Sequence, residues 1–157
     1  YFKSTDPDPV RLIMSFTGYD EGWATYVENY SYGYAGLDED VARAFALNQE
    51  IVLDVYGFLD IAINYYGYTL ENTRDFLEYF GWGDDDTASA VFLQIVGNPC
   101  SYLPYCLGSL MFQEYYAAAA ETAGDSFDPV EFHKAVLEIG PCSFPVLEEY
   151  LTRGGIL

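Results

Sequence analysis

The feature that most narrows what this chain can fold into is the period of its apolar residues. From Leu37 they recur at Val41, Ala44, Phe45, Ile51, Val55, Phe58, Ala62, Ile63 and Tyr66. Steps of three, four and seven put them on one broad face of a long helix. Asp38, Glu39 and Asp40 fall in the first turn, where carboxylates suit the positive end of the helix dipole, and Gly67 ends the run. No stretch alternates apolar and polar residues between hairpin turns, as a half-buried strand would. The expected fold is therefore all-α. It is an irregular helical bundle of about six to eight helices with short loops and no significant sheet, residues 1–157 forming a single helical unit.

Local signals place the other helices. Asp8-Pro9 opens a short one to about Phe16, and a longer one covers Tyr19 to Tyr32. Thr69 reads as an N-cap, with Leu70, Thr73, Phe76, Leu77 and Phe80 on one face and Gly81 as the stop. Asp84 to Thr87 opens a helix from Ala88 to about Val96, which Asn98-Pro99 breaks. Pro99 is placed to start the next, which runs to about Ala123; Pro104 inside that span implies a later start or a kink. Asp128-Pro129-Val130-Glu131 offers an acidic cap, a proline at the first helical position and a glutamate at the third. Phe132, Val136 and Ile139 follow at helical steps, and a last helix covers about Phe144 to Leu151.

Charge excludes some functions. Six Lys and Arg against 25 Asp and Glu give a net charge of −19. Phosphate recognition needs clustered cations, so neither nucleic acid nor an anionic membrane surface is an expected partner. The richest apolar run, Ile51 to Ile63, is broken by Asp54 and Asp60, so no membrane span is expected. The acidity fits an extracellular or cell-surface protein kept soluble by charge; cytoplasmic proteins reach the same balance, and the compartment stays open. The chain begins at Tyr1 rather than Met, which reads as a piece of a longer protein.

The segment YDEGWATYVENY, Tyr19 to Tyr30, carries the most chemistry. Glu21 and Glu28 are two helical turns apart and point to roughly one side, with Trp23 and Tyr26 on neighbouring faces. A carboxylate beside Gly-Trp, among aromatics, fits a buried metal ligand; a solvated acidic face is the ordinary alternative. His133 is the only histidine, and one imidazole cannot supply the pair that a gluzincin-type zinc site needs, so it reads as a surface or packing residue. Asp84 to Asp86 lack the alternating ligands of a calcium loop. Cys100, Cys106 and Cys142 have no zinc-finger spacing and read as small free thiols. In NPCSYLPYCLG, Asn98 to Gly108, two prolines and two tyrosines surround a helix start. A tyrosine hydroxyl there suits donation to a developing oxyanion, or else simple packing.

Taken in order, four segments resemble the bacterial family of domain of unknown function 885 (DUF885), whose members look like zinc metallopeptidases. The family pattern runs roughly HExxPGH, EGWAxYxE, DxGIHxxGWT, PGxxLxYxxG and FxxFHxxLLxxGxxPxxxLxxxL. This chain has EGWATYVE at Glu21 to Glu28, DIAINYYGYT at Asp60 to Thr69 and PCSYLPYCLG at Pro99 to Gly108. It closes with FDPVEFHKAVLEIGPCSFPVLEEYL, Phe127 to Leu151. The first and last are the specific ones.

The resemblance implies the C-terminal fragment of a larger metallopeptidase-like domain. The HExxPGH helix would precede Tyr1 and supply two zinc-binding histidines and a glutamate base. Zinc would then be the cofactor of the full-length parent, with none bound by this fragment, which alone would not be catalytically competent. Glu21 would be the third metal ligand, with Glu28 supporting it or standing in its place. Tyr105 would be the oxyanion donor, and Trp23, Asn64 and Tyr102 would contact the substrate. The reaction would be attack of metal-activated water on a peptide carbonyl. The implied partners are the missing N-terminal part of the same polypeptide, a peptide substrate, and a second copy across the surface that truncation exposes. Three residues depart from the pattern: Asn64 stands where many members have His, Cys100 where they have Gly, and Tyr56 where Arg is expected. The alternative is a non-enzymatic helical module whose aromatic surface binds a peptide or another protein.

Overall fold

A computed structural model describes residues 2–157; Tyr1 lies outside the described residues. These form eight α-helices: α1 (Pro9–Ile13), α2 (Thr17–Ser31), α3 (Glu39–Asn64), α4 (Leu70–Glu78), α5 (Asp85–Gly97), α6 (Leu103–Ala123), α7 (Pro129–Ile139) and α8 (Phe144–Arg153). Short 3-10 turns cover Phe2–Thr5, Tyr32–Tyr34 and Gly124–Ser126, and the described residues contain no strand. The all-α reading holds. No helix among the described residues is long and apolar enough to cross a membrane.

Most helix starts follow from their caps. The side chains of Asp8, Asp38, Asp84 and Asp128 accept from the backbone N–H of Val10, Asp40, Thr87 and Val130, at the starts of α1, α3, α5 and α7. Thr69 and Asn72 form a reciprocal capping box at α4. Three boundaries differ from expectation by three residues or more, the first being α5, which begins at Asp85 rather than Ala88. The helix opened by Asp8-Pro9 ends at Ile13, not near Phe16. Pro99 does not start α6; that helix begins at Leu103, with Pro104 in its first turn, where the missing N–H has no intrahelical partner to lose.

The apolar face of α3 also divides. Its second half buries Val55, Leu59, Ala62 and Ile63, whereas Val41, Phe45 and Ile51 in the first half stay 44%, 53% and 46% exposed. The physical reason is coverage. α5 packs against α3, and in the first half of α3 it is Ala42 that turns inward.

The chain forms two compact units, Tyr1–Val27 with Leu107–Leu157, and Glu28–Cys106. The first has an aromatic core. Phe112 of α6 meets the rings of Tyr19 and Trp23 edge-on, each with centroids 5.2 Å apart, and Phe132, Val136, Leu147 and Leu151 are fully buried or nearly so. Here α2 and α6 touch backbone to backbone: a Cβ placed on Gly108 would stand 2.7 Å from Gly22 Cα, far inside contact distance. The second unit has an aliphatic core of Val55, Leu59 and Ile63 from α3, Leu77 from α4, and Ala88, Val91 and Ile95 from α5. Each large side chain fully buried there contributes about 1.5–3 kcal/mol relative to exposure.

Candidate functional site

The residues of interest divide between the units. Glu21 and Trp23 belong to the first; Glu28, Asn64, Tyr102 and Tyr105 belong to the second.

In the first unit, Glu21 is half-buried on α2 and directly precedes Gly22, the residue in contact with Gly108. Only glycine permits that approach, so the Gly of EGWA and the last Gly of PCSYLPYCLG are explained together. Trp23 is half-buried and packs against Phe112, Tyr26 and His133. The Tyr26 hydroxyl lies 2.8 Å from His133 Nε2, and the imidazole stacks on Tyr116. Burial holds the His133 pKa below its ordinary value. His133 is thus a packed, hydrogen-bonded histidine.

In the second unit, Glu28 is exposed and its Oε1 accepts from the Tyr32 hydroxyl at 3.0 Å, which raises the Tyr32 pKa. The more structured cluster surrounds Asp60. This residue is 1% exposed, near the C-terminal end of α3. Its Oδ1 accepts from Asn64 Nδ2 at 2.9 Å and from the Cys100 backbone N–H at 3.0 Å. Its Oδ2 is buried and has no hydrogen-bond partner. Asn64 Nδ2 also approaches the carbonyl of Ile95, at 3.5 Å. Asn64 therefore tethers α3 to the end of α5, one turn from the carboxylate it serves.

Cys100 sits at φ +63, the left-handed region that favours glycine. Its thiol is exposed and free, whereas those of Cys106 and Cys142 are buried. The buried carboxylate of Asp60 thus holds the N–H of a strained turn. That turn leads into Tyr102, whose ring packs on Tyr56 at 4.5 Å and whose hydroxyl receives Gln94 Nε2 at 3.4 Å. Burial and the neighbouring Tyr102 raise the Tyr56 pKa. Tyr105 is half-buried in the first turn of α6, its N–H donated to the carbonyl of Tyr102 at 3.1 Å.

Sequence reasoning named Asn64 and missed Asp60 as the centre of this cluster. The signal was visible: one of two carboxylates, with Asp54, inside the most apolar run of the chain.

For zinc, Glu21 offers one carboxylate. Among the described residues no group of three or more His, Cys, Asp or Glu side chains that could hold a metal ion comes together.

No curated protein and no solved structure matches this chain. Residues 2–151 do match the family described as bacterial protein of unknown function, DUF885. That span includes EGWATYVE, the strained turn at Cys100 and the closing helices, and by it the chain belongs to the DUF885 family.

Proposed function

We propose that this chain is the C-terminal part of a zinc-metallopeptidase-like protein that hydrolyses peptide bonds. The observation that carries this reading is the contact between Gly22 and Gly108. It joins two separate family segments backbone to backbone and fixes the helix that bears Glu21 against α6. Within the chain, Glu21 offers a carboxylate for a metal held mainly by upstream residues, and Tyr105 offers a hydroxyl suited to an oxyanion. Trp23, Asn64 and Tyr102 remain the proposed substrate contacts, although Trp23 and Asn64 also have structural partners.

The test is made on the parent protein. Glu21→Ala should lower its zinc content and its peptidase activity together, and unchanged metal and activity would remove the ligand role. Tyr105→Phe should lower kcat by roughly a hundredfold with little change in KM. The isolated 157 residues should bind zinc weakly in calorimetry; tight stoichiometric binding would contradict a single-carboxylate role.

One observation favours the second reading, a non-enzymatic interaction module: Val41, Phe45 and Ile51 present an uncovered apolar stretch on α3. The coding sequence upstream of Tyr1 separates the two. An HExxPGH segment supports the enzyme, and a sequence without one supports the module.

A further inference from the structure

The cover over α3 stops part-way along the helix. In steps of seven, Val41 and Asn48 lead into Val55 and Ala62, so the four share one stripe. Val55 and Ala62 are buried, Val55 in the core that α4 and α5 close, whereas Val41 and Asn48 are exposed. Ala44, Phe45, Leu47 and Ile51 widen the uncovered stretch, and all four are exposed. A stripe covered by helices at one end is thus left open at the other.

The open stretch has a shape that a helix fills. Val41, Ala44, Phe45 and Asn48 stand at i, i+3, i+4 and i+7 and surround a hollow of about 460 Å3, with Asp40 at its rim. Four residues at that spacing form the hole that receives one side chain of a packed helix. Ala44 contributes only a methyl group, which leaves room between its larger neighbours. The charge of the rim says which kind of helix. Asp40, Leu47 and Asp54 follow one another at steps of seven along one edge, and both carboxylates are exposed. Asp38 and Glu39 stand at the helix start, and Arg43 is the one cation in the α3 sequence. A second copy of this chain would bring the same carboxylates and another −19 charge to the seam.

We propose that the first half of α3 docks a basic amphipathic helix of another protein. The apolar stripe of that helix lies on Val41, Ala44, Phe45 and Ile51, with one side chain in the hollow. Its Lys or Arg residues pair with Asp40 and Asp54, which are about 21 Å apart along the axis of α3. This names the partner for the face on which the module reading rests. It stands beside the enzyme reading as well: the upstream segment decides between those two, and peptide binding decides this one.

The test is calorimetry on the 157-residue chain with synthetic peptides. The probes are an amphipathic helix of leucine and lysine, the same helix with glutamate for lysine, and a leucine–lysine peptide of equal composition scrambled to lose its apolar stripe. The first should saturate one site, the second should not bind, and the third should bind roughly tenfold more weakly or worse. Ala44→Phe fills the hollow while adding apolar surface, so it should lower the affinity roughly tenfold, with its unfolding curve in place because the position is exposed. Asp40→Asn with Asp54→Asn should weaken binding roughly threefold more than Glu121→Gln with Glu138→Gln, which remove two exposed charges of the first unit. The proposal is overturned if the first peptide does not saturate, if the acidic or the scrambled one binds as tightly, if Ala44→Phe binds as tightly as the native chain, or if the two pairs of charge removals weaken binding alike. A dimer in sedimentation that Ala44→Phe breaks would also overturn it, by giving the face to a second copy.

Discussion

In the first unit, Tyr19, Tyr26 and Tyr115 carry their rings into the core and end their hydroxyls on partners: the carbonyl of Val136, the ring of His133 and the carbonyl of Phe144. In the second unit the core is aliphatic, yet two of its polar side chains keep an oxygen buried and unanswered, Oδ1 of Asn29 and Oδ2 of Asp60. The contrast separates two uses of buried polarity. A hydroxyl that finds a carbonyl fixes one packing of its ring, so the first unit is specified by its own contacts. An oxygen with no donor gains nothing for the fold, and here both are closed to solvent, so they cost the unit stability rather than offer a contact. The first unit answers these buried hydroxyls from within, and the second leaves two buried oxygens unanswered.

Trp23 lies in the first unit and Trp82 in the second, so single-tryptophan variants can follow each unit separately in urea. The largest effect should come from Gly22→Ala, whose Cβ would collide with backbone rather than with a side chain that can swing away. We expect a loss of about 3 kcal/mol at the Trp23 probe, and a negligible change there would mean the helix contact yields. Next is Asp60→Ala, which strips the Cys100 N–H and the Asn64 amide of their acceptor and should cost about 2 kcal/mol at the Trp82 probe. Asp60→Asn should cost less, since it keeps one acceptor and removes a buried charge; an equal loss would show that the charge itself is needed. Cys100→Gly should stabilise by about 0.5–1 kcal/mol, because glycine occupies φ +63 without the Cβ penalty, and a loss would show that the thiol packs usefully.

The smallest effect is in the pH profile of the first unit. Burial lowers the His133 pKa, so the folded state favours the neutral ring. Its contribution should be complete above about pH 6.5, the ordinary histidine value, and decline as pH falls from there toward the lowered folded value. His133→Gln should flatten that part of the Trp23 profile relative to the native chain. An unchanged slope would assign it to the carboxylates instead.

The helix starts were legible because a cap is a local device: Asp38, Asp84, Asp128 and Thr69 each act on an N–H two or three residues away. The coverage of α3 was not, because Val55 is buried and Val41 is not only through where α4 and α5 return, and both residues look the same on a helical wheel. At the site, Glu21, Tyr105 and Asn64 were visible as members of segments. The hydrogen bond from the Cys100 N–H to Asp60 spans 40 residues and depends on a left-handed turn at a cysteine, which no propensity suggests. Asn29 carried no signal at all, since an unpaired oxygen is defined by what surrounds it.

The meeting of Gly22 and Gly108 has a mechanical consequence. Two backbones in direct touch have no rotamers to exchange and no side chain to compress, so that crossing has no soft mode of its own. Any slow rearrangement of the first unit must hinge somewhere else, at its turns, and α2 and the adjoining stretch of α6 should travel together as a single lever.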